Sequence, residues 1–302
     1  MAFALRLDRP MQDNLQRVAD EQLKKAIREL ESQGDAAQLA RNIHQVRKRM
    51  KMLRGLLRLM RGELPKSVYR DENACFRDTA RLLAGARDAQ VLVDTYDTLI
   101  ASCDDSDEKL ALAPLRELLE QERQTMLHVD GTTDKRMREA AATLRSARQR
   151  VPGWQLRKPG FGALAAGLQQ TYGSGRRAFA GAYDTWQDSD FHEWRKAVKY
   201  HWYHSRLLER LWPPVLKVRV DTLKELSELL GDDHDLTVLR ETLSNHQQAS
   251  VEQRMTLERL AKARQEVLRA RARQLGQLLY ADPPKPLRKR FKAYWHAQAA
   301  SA

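Results

Sequence analysis

A cluster of basic residues occurs twice in this chain, in register. Ile43-His44-Gln45-Val46-Arg47-Lys48-Arg49-Met50-Lys51 aligns with Phe191-His192-Glu193-Trp194-Arg195-Lys196-Ala197-Val198-Lys199 at a constant shift of 148. Arg58-Leu59-Met60 keeps that shift against Arg206-Leu207-Leu208. Leu82-Leu83-Ala84-Gly85-Ala86-Arg87-Asp88-Ala89-Gln90-Val91-Leu92 then meets Leu229-Leu230-Gly231-Asp232-Asp233-His234-Asp235-Leu236-Thr237-Val238-Leu239 at a shift of 147, so one deletion separates the copies. A repeat of this length builds the same supersecondary unit twice. The expected architecture is two duplicated antiparallel helical bundles related by a pseudo-two-fold axis.

Composition says that the units are helical. Forty-three Leu stand against three Ile, and unbranched residues lose least in a helix whereas strands favour β-branched ones. Apolar residues recur at helical spacing almost throughout, giving an all-α chain of about twelve helices. The expected breaks fall at Gly34-Asp35, Leu64-Pro65, residues 86–88, residues 104–107, Gly131, residues 188–190, Pro213-Pro214, residues 231–235 and residues 283–286. Residues 151–160 are rich in Pro and Gly and read as the connection between a first half of about residues 1–150 and a second of about 161–302.

No apolar run approaches the roughly 20 residues of a membrane span, and the first ten residues lack a signal-peptide core, so a cytoplasmic location with no membrane partner is expected. Cys75 and Cys103 make neither a disulfide framework nor a metal knuckle and read as buried small hydrophobes.

On a helix at 100° per residue, Arg47, Lys48, Lys51, Arg54 and Arg58 fall within an arc of about 120° around His44. Val46, Met50, Leu53, Leu56, Leu57 and Met60 take the opposite side. Seven Lys or Arg and no acid occur from His44 to Arg61, so the stripe repels itself and calls for a polyanion. Arg offers paired donors to phosphate oxygens, Lys a mobile point charge, and His a donor whose charge an anion stabilises. The second copy repeats the arc with His192, Arg195, Lys196, Lys199 and Arg206, with Trp202 and Tyr203 in the places of Arg54 and Gly55. His201 and His204 fall on its apolar side and read as partly buried, hydrogen-bonded core histidines.

These paired openings, each followed by its Leu-Leu-Ala-Gly-Ala-Arg-Asp or Leu-Leu-Gly-Asp-Asp-His-Asp stretch, resemble the CHAD family, the conserved histidine α-helical domain, over essentially the whole chain, residues 1–302. The resemblance implies a single domain in which both basic stripes face a shared channel or pocket that binds inorganic polyphosphate, often at polyphosphate granules. It places the binding surface on His44, Arg47, Lys48, Lys51, Arg54 and Arg58 and on His192, Arg195, Lys196, Lys199 and Arg206. Arg77 and Lys224, matched at the 147 shift, become a second wall, and Arg176 in Tyr172-Gly173-Ser174-Gly175-Arg176-Arg177 a further candidate. Trp202 and Ala84 depart from the family pattern, which implies unequal halves.

Asp232-Asp233-His234-Asp235 has the donor types of a metal site, but only its last Asp recurs in the first half, so Asp88 and Asp235 read as turn and cap residues, with a metal site as the lesser alternative, and no metal or cofactor is expected. No phosphate loop, nucleophile elbow or acid/base pair in register is present, which points to a binder and not an enzyme. The basic, aromatic tail from Pro286 to Trp295 reads as a final helix packed on the core. The rival function is RNA or DNA binding through the same charge. Recruitment of other granule proteins through acidic residues 104–122 is compatible with the first reading. Binding is expected to be salt-sensitive and to strengthen as pH falls through the titration of His44 and His192.

Overall fold

Leucine at helical spacing closes into eleven α-helices and two short 3-10 turns in the computed structural model, which describes residues 3–84, 86–127 and 130–299; no strand occurs among them. The helices are α1 (Met11–Glu31), α2 (Ala36–Leu59), α3 (Lys66–Leu82), α4 (Ala86–Ala101), α5 (Ser106–Leu127), α6 (Asp130–Arg150), α7 (Gly162–Thr185), α8 (Asp188–Leu208), α9 (Pro213–Ser244), α10 (Val251–Leu279) and α11 (Pro284–Ala299). The punctuation read from the sequence accounts for most ends. The Asp35 carboxylate accepts from the Gln38 amide at 2.7 Å to start α2, and Pro213 and Pro214 open α9; the break before α10 is not among the expected ones, and there Ser250 with Gln253 forms a capping box.

One expected break does not occur. Residues 231–235 lie inside α9, which runs unbroken for 32 residues, whereas the matching stretch of the first half separates α3 from α4. Asp235 is therefore a mid-helix residue and not a cap; the Asp88 side chain lies outside the described part of the chain. The reason is Asp233. Instead of capping a new helix it enters the core, where Arg269 Nε donates to it at 2.6 Å, and a lone Gly231 costs a helix only about 1 kcal/mol.

At 1.5 Å per residue α9 is roughly 48 Å long, so it serves two cores. Its first half joins α1, α2, α3, α6, α7, α8, the C-terminal part of α10 and α11 in the larger cluster, which contains Met50, Leu53, Trp194, Val198, Leu223 and Phe291. Its second half joins α4, α5 and α10 in a smaller one around Tyr96, Leu115, Leu239 and Leu257. The two clusters do not coincide with the two sequence halves, because α4 and α5 of the first half pack on α9 and α10 of the second. The basic tail helix α11 sinks Leu287 and Phe291 into the larger core.

Helix α2 lies at the centre, against α1, α3, α7 and α8. Two glycines permit this. A Cβ on Gly167 of α7 would stand 2.1 Å from the Leu59 carbonyl oxygen, and one on Gly55 of α2 would stand 3.2 Å from the Tyr203 ring of α8. Beside that crossing, His204 Nε2 donates to the Gly55 carbonyl oxygen at 2.8 Å, and burial holds the imidazole neutral with its pKa down at about 4. His201 meets Arg219 at 2.8 Å. Both histidines are fully buried, deeper than the sequence implies. The contact of α2 with α8 brings the two basic stripes together.

Candidate functional site

The apolar arc of α2 fixes where its basic arc points. Val46, Met50, Leu53, Leu56 and Leu57 are fully buried, so the cations opposite them face a cavity of about 600 Å³ between α2, α4, α8 and α9. From α2 it receives His44, Arg47, Lys48 and Lys51; from α8, Arg195, Lys199, Trp202 and Tyr203; from α9, Lys224, Glu228, His234, Asp235 and Val238; and from α4, Val91 and Leu92. Six Lys or Arg thus meet two carboxylates among the described residues.

The electrostatics follow from this crowding. Burial pushes the Lys199 ammonium down to about 8, helped by Arg195 and Lys51, while its Nζ donates to Ser227 Oγ at 2.9 Å. His234 stands in the cavity with His192 behind it, their Nδ1 atoms 3.2 Å apart and their rings 4.2 Å apart. One Nδ1 must donate and the other accept, so the pair is not doubly protonated. Burial, then Arg195, His192 and Lys51, lowers His234 to about 4; burial, then Lys196 and Arg195, lowers His192. The expected gain in binding with falling pH is therefore displaced, at His192, to pH below the ordinary histidine range. Glu228 accepts from Lys224 at 3.1 Å, and Asp232, just outside, is raised by burial and by Asp235.

The buried ammonium predicts a pH signature of the free chain. Unfolded, Lys199 titrates near 10.5; folded, near 8. Below pH 8 both states hold the proton and the folded chain bears the full burial cost. Between pH 8 and 10.5 only the unfolded chain keeps it, so this group makes stability rise with pH there, by on the order of 1 kcal/mol per pH unit. Thermal melts of the wild type and of Lys199→Met between pH 7 and 10 check it: the variant starts more stable and lacks this increment, and parallel curves would refute it.

Other sequence candidates lie outside the cavity lining. Arg54 and Arg58 continue the α2 stripe beyond Lys51 and both donate to Asn73 Oδ1, at 3.2 and 3.1 Å. Arg77 is paired with Asp78 at 2.7 Å on α3. Lys196 is paired with Glu193, and Arg206 flanks Trp202 at 5.2 Å. Arg176 donates to the Tyr280 carbonyl oxygen at 3.2 Å, and Gly175 beside it lets Tyr280 approach α7. His234, Glu228 and Asp235 are cavity residues that the motif reading passed over. For His234 a signal exists, since the register sets it against Arg87, one basic residue against another. Asp232-Asp233-His234-Asp235 does not converge on one point: Asp233 turns to Arg269 while His234 and Asp235 face the cavity. Among the described residues no group of three or more His, Cys, Asp or Glu is arranged to hold a metal. Among them, too, no helix is long and apolar enough to cross a membrane.

Fold and cavity together define an all-helical protein whose helices, drawn from both parts of the chain, enclose a cationic cleft. The chain belongs to the CHAD domain family, whose model matches residues 17–244, from α1 to the end of α9. That family has polyphosphate binding as its known role, and its domain is a binding domain rather than a catalytic one. Among solved structures the chain is similar to the CHAD domain from the plant Ricinus communis, at 18% identity and a TM-score of 0.53, covering 98% of this chain and 95% of that one. At this identity the likeness bears on the fold alone. No curated protein matches the chain.

Proposed function

We propose that the chain binds inorganic polyphosphate in the cavity between α2, α8 and α9, without catalysing a reaction on it, and that this binding carries it to polyphosphate granules in the cytoplasm. The observation that carries the reading is the convergence of Arg47, Lys48, Lys51, Arg195, Lys199 and Lys224 on one cleft against Glu228 and Asp235 among the described residues. Burial first, and then the neighbouring cations, depress Lys199, and a polyanion offsets both costs with opposite charge. Arg47 with Arg195 and Lys51 with Lys199 stand 148 apart in sequence and Val91 with Val238 147 apart, and each pair lines the same cavity. Gly55 and Tyr203, also 148 apart, touch where α2 meets α8. These pairs support a two-fold relation between the halves. Trp202, the one tryptophan in the lining, is only 9% exposed, which favours a bare phosphate chain over stacked bases.

The test is competition at physiological salt between long-chain polyphosphate, single-stranded RNA and duplex DNA, matched in phosphate. A marked preference for polyphosphate is expected; equal affinities would give the site to nucleic acid. Binding also has a proton signature. A bound polyanion raises the Lys199 pKa from about 8, so calorimetry in buffers of differing ionisation enthalpy registers proton uptake above pH 8, and affinity falls as pH rises through that range. Lys199→Met removes that uptake.

A further inference from the structure

We propose that polyphosphate chains longer than the cavity leave it on one side only, along Arg54 and Arg58 of α2, so that the site distinguishes long chains from short ones. This rests on the polyphosphate reading above. Lys51 lines the cavity, and Arg54 and Arg58 follow it on the same arc, extending the row of cations by roughly 10 Å beyond Lys51. Both guanidinium groups are held in place by neutral partners. They share Asn73 Oδ1, and the Arg58 guanidinium carbon lies 3.9 Å over the Tyr200 ring of α8. The carboxylate nearby, Asp78, is engaged by Arg77 through two hydrogen bonds of 2.7 and 2.8 Å. Two half-buried arginines thus sit side by side with an amide oxygen and an aromatic face for partners, positioned but not neutralised. Burial, and then Arg58 and Arg77, lowers the Arg54 pKa, as expected of cations pressed together.

The second copy offers no matching exit. Where α2 continues from Lys51 to Arg54, α8 continues from Lys199 to Trp202, whose ring stands between Lys199 at 5.3 Å and Arg206 at 5.2 Å. Arg206 also has Phe3 at 5.9 Å on its other flank. The indole carries no charge, so it interrupts the row of cations on this side, where Arg54 maintains it on the other. The two copies of one motif thereby divide the work: both supply the enclosed seat, and the first alone supplies the open track.

The test compares wild type with Arg54→Gln/Arg58→Gln, titrated with tripolyphosphate and with long-chain polyphosphate over a range of salt. Tripolyphosphate affinity is expected to be unchanged, whereas long-chain affinity falls about tenfold, the worth of two partly exposed charge contacts, and its salt dependence becomes shallower. Equal losses for both ligands would make the arginines part of the seat, and no loss for either would leave the track unused; each result overturns the proposal. Should the variant not fold, the salt slope of the wild type is read instead. It is expected to steepen from tripolyphosphate to longer chains, and one slope at all lengths overturns the track. A wild type that binds polyphosphate of no length would instead refute the function on which the track depends.

Discussion

Arg47→Ala combined with Arg195→Ala reduces affinity for long-chain polyphosphate by at least about a hundredfold, since each charge-assisted contact contributes roughly 1.5–3 kcal/mol. The two residues come from helices of opposite halves and line one cavity, so neither basic stripe retains its full set in the double variant. The free chain keeps its helicity and does not melt earlier. Arg195 lies among cations and is one of the groups that lowers Lys199 and His234, so its removal relieves repulsion and the Lys199 pKa moves up from about 8. Fluorescence titration gives the affinity, circular dichroism the fold, and the pH dependence of melting the Lys199 shift. Wild-type affinity in a folded double variant would exclude the cavity as the binding site.

The second large effect is on stability. Asp233 and Arg269 are both buried, with side chains 3% and 8% exposed, and they bond at 2.6 Å, with Asp188 at the start of α8 as the second partner of Arg269. Asp233→Ala leaves a buried guanidinium with Asp188 as its one remaining carboxylate partner and is expected to cost about 3–5 kcal/mol, a fall in melting temperature of roughly 10 °C. Because the pair itself gains little over apolar packing, Asp233→Leu with Arg269→Met is expected to melt close to wild type. A double variant as unstable as the single one would show that the ion pair itself holds α8, α9 and α10 together. His234, next in sequence to Asp233, and His192, one turn beyond Asp188, meet at the cavity, so the single variant also loosens that wall.

The α2 stripe shows how much of the site was legible before any coordinates. Val46, Met50, Leu53 and Leu57 on one side and Arg47, Lys48 and Lys51 on the other are separated by helical geometry alone, and burial of the first set directs the second to a common cavity. The repeat then identified Arg195 and Lys199. It failed where the same motif meets different surroundings. Leu229-Leu230-Gly231-Asp232-Asp233 looked like the turn after α3, yet it is helical because Arg269, 36 residues later, holds Asp233 inside the core. Arg176 and Arg77 matched by register or by family pattern and lie elsewhere, on Tyr280 and Asp78.

What the sequence by itself determined is therefore local or periodic: helix as the regular structure of the described residues, most helix ends, the apolar and basic faces of α2 and α8, and the correspondence between the halves. These depend on backbone preference and on spacing along one helix, which the order of residues specifies directly. Only the tertiary structure decided that α4 and α5 join α9 and α10 in a separate core, that His234 faces the cavity beside His192, that Trp202 interrupts one basic row while Arg54 and Arg58 extend the other, and that Lys199 is buried enough to titrate near 8. Each of these depends on the distance between groups far apart in the chain and on how much water their packing excludes, and both are set by the closure of the whole helical assembly.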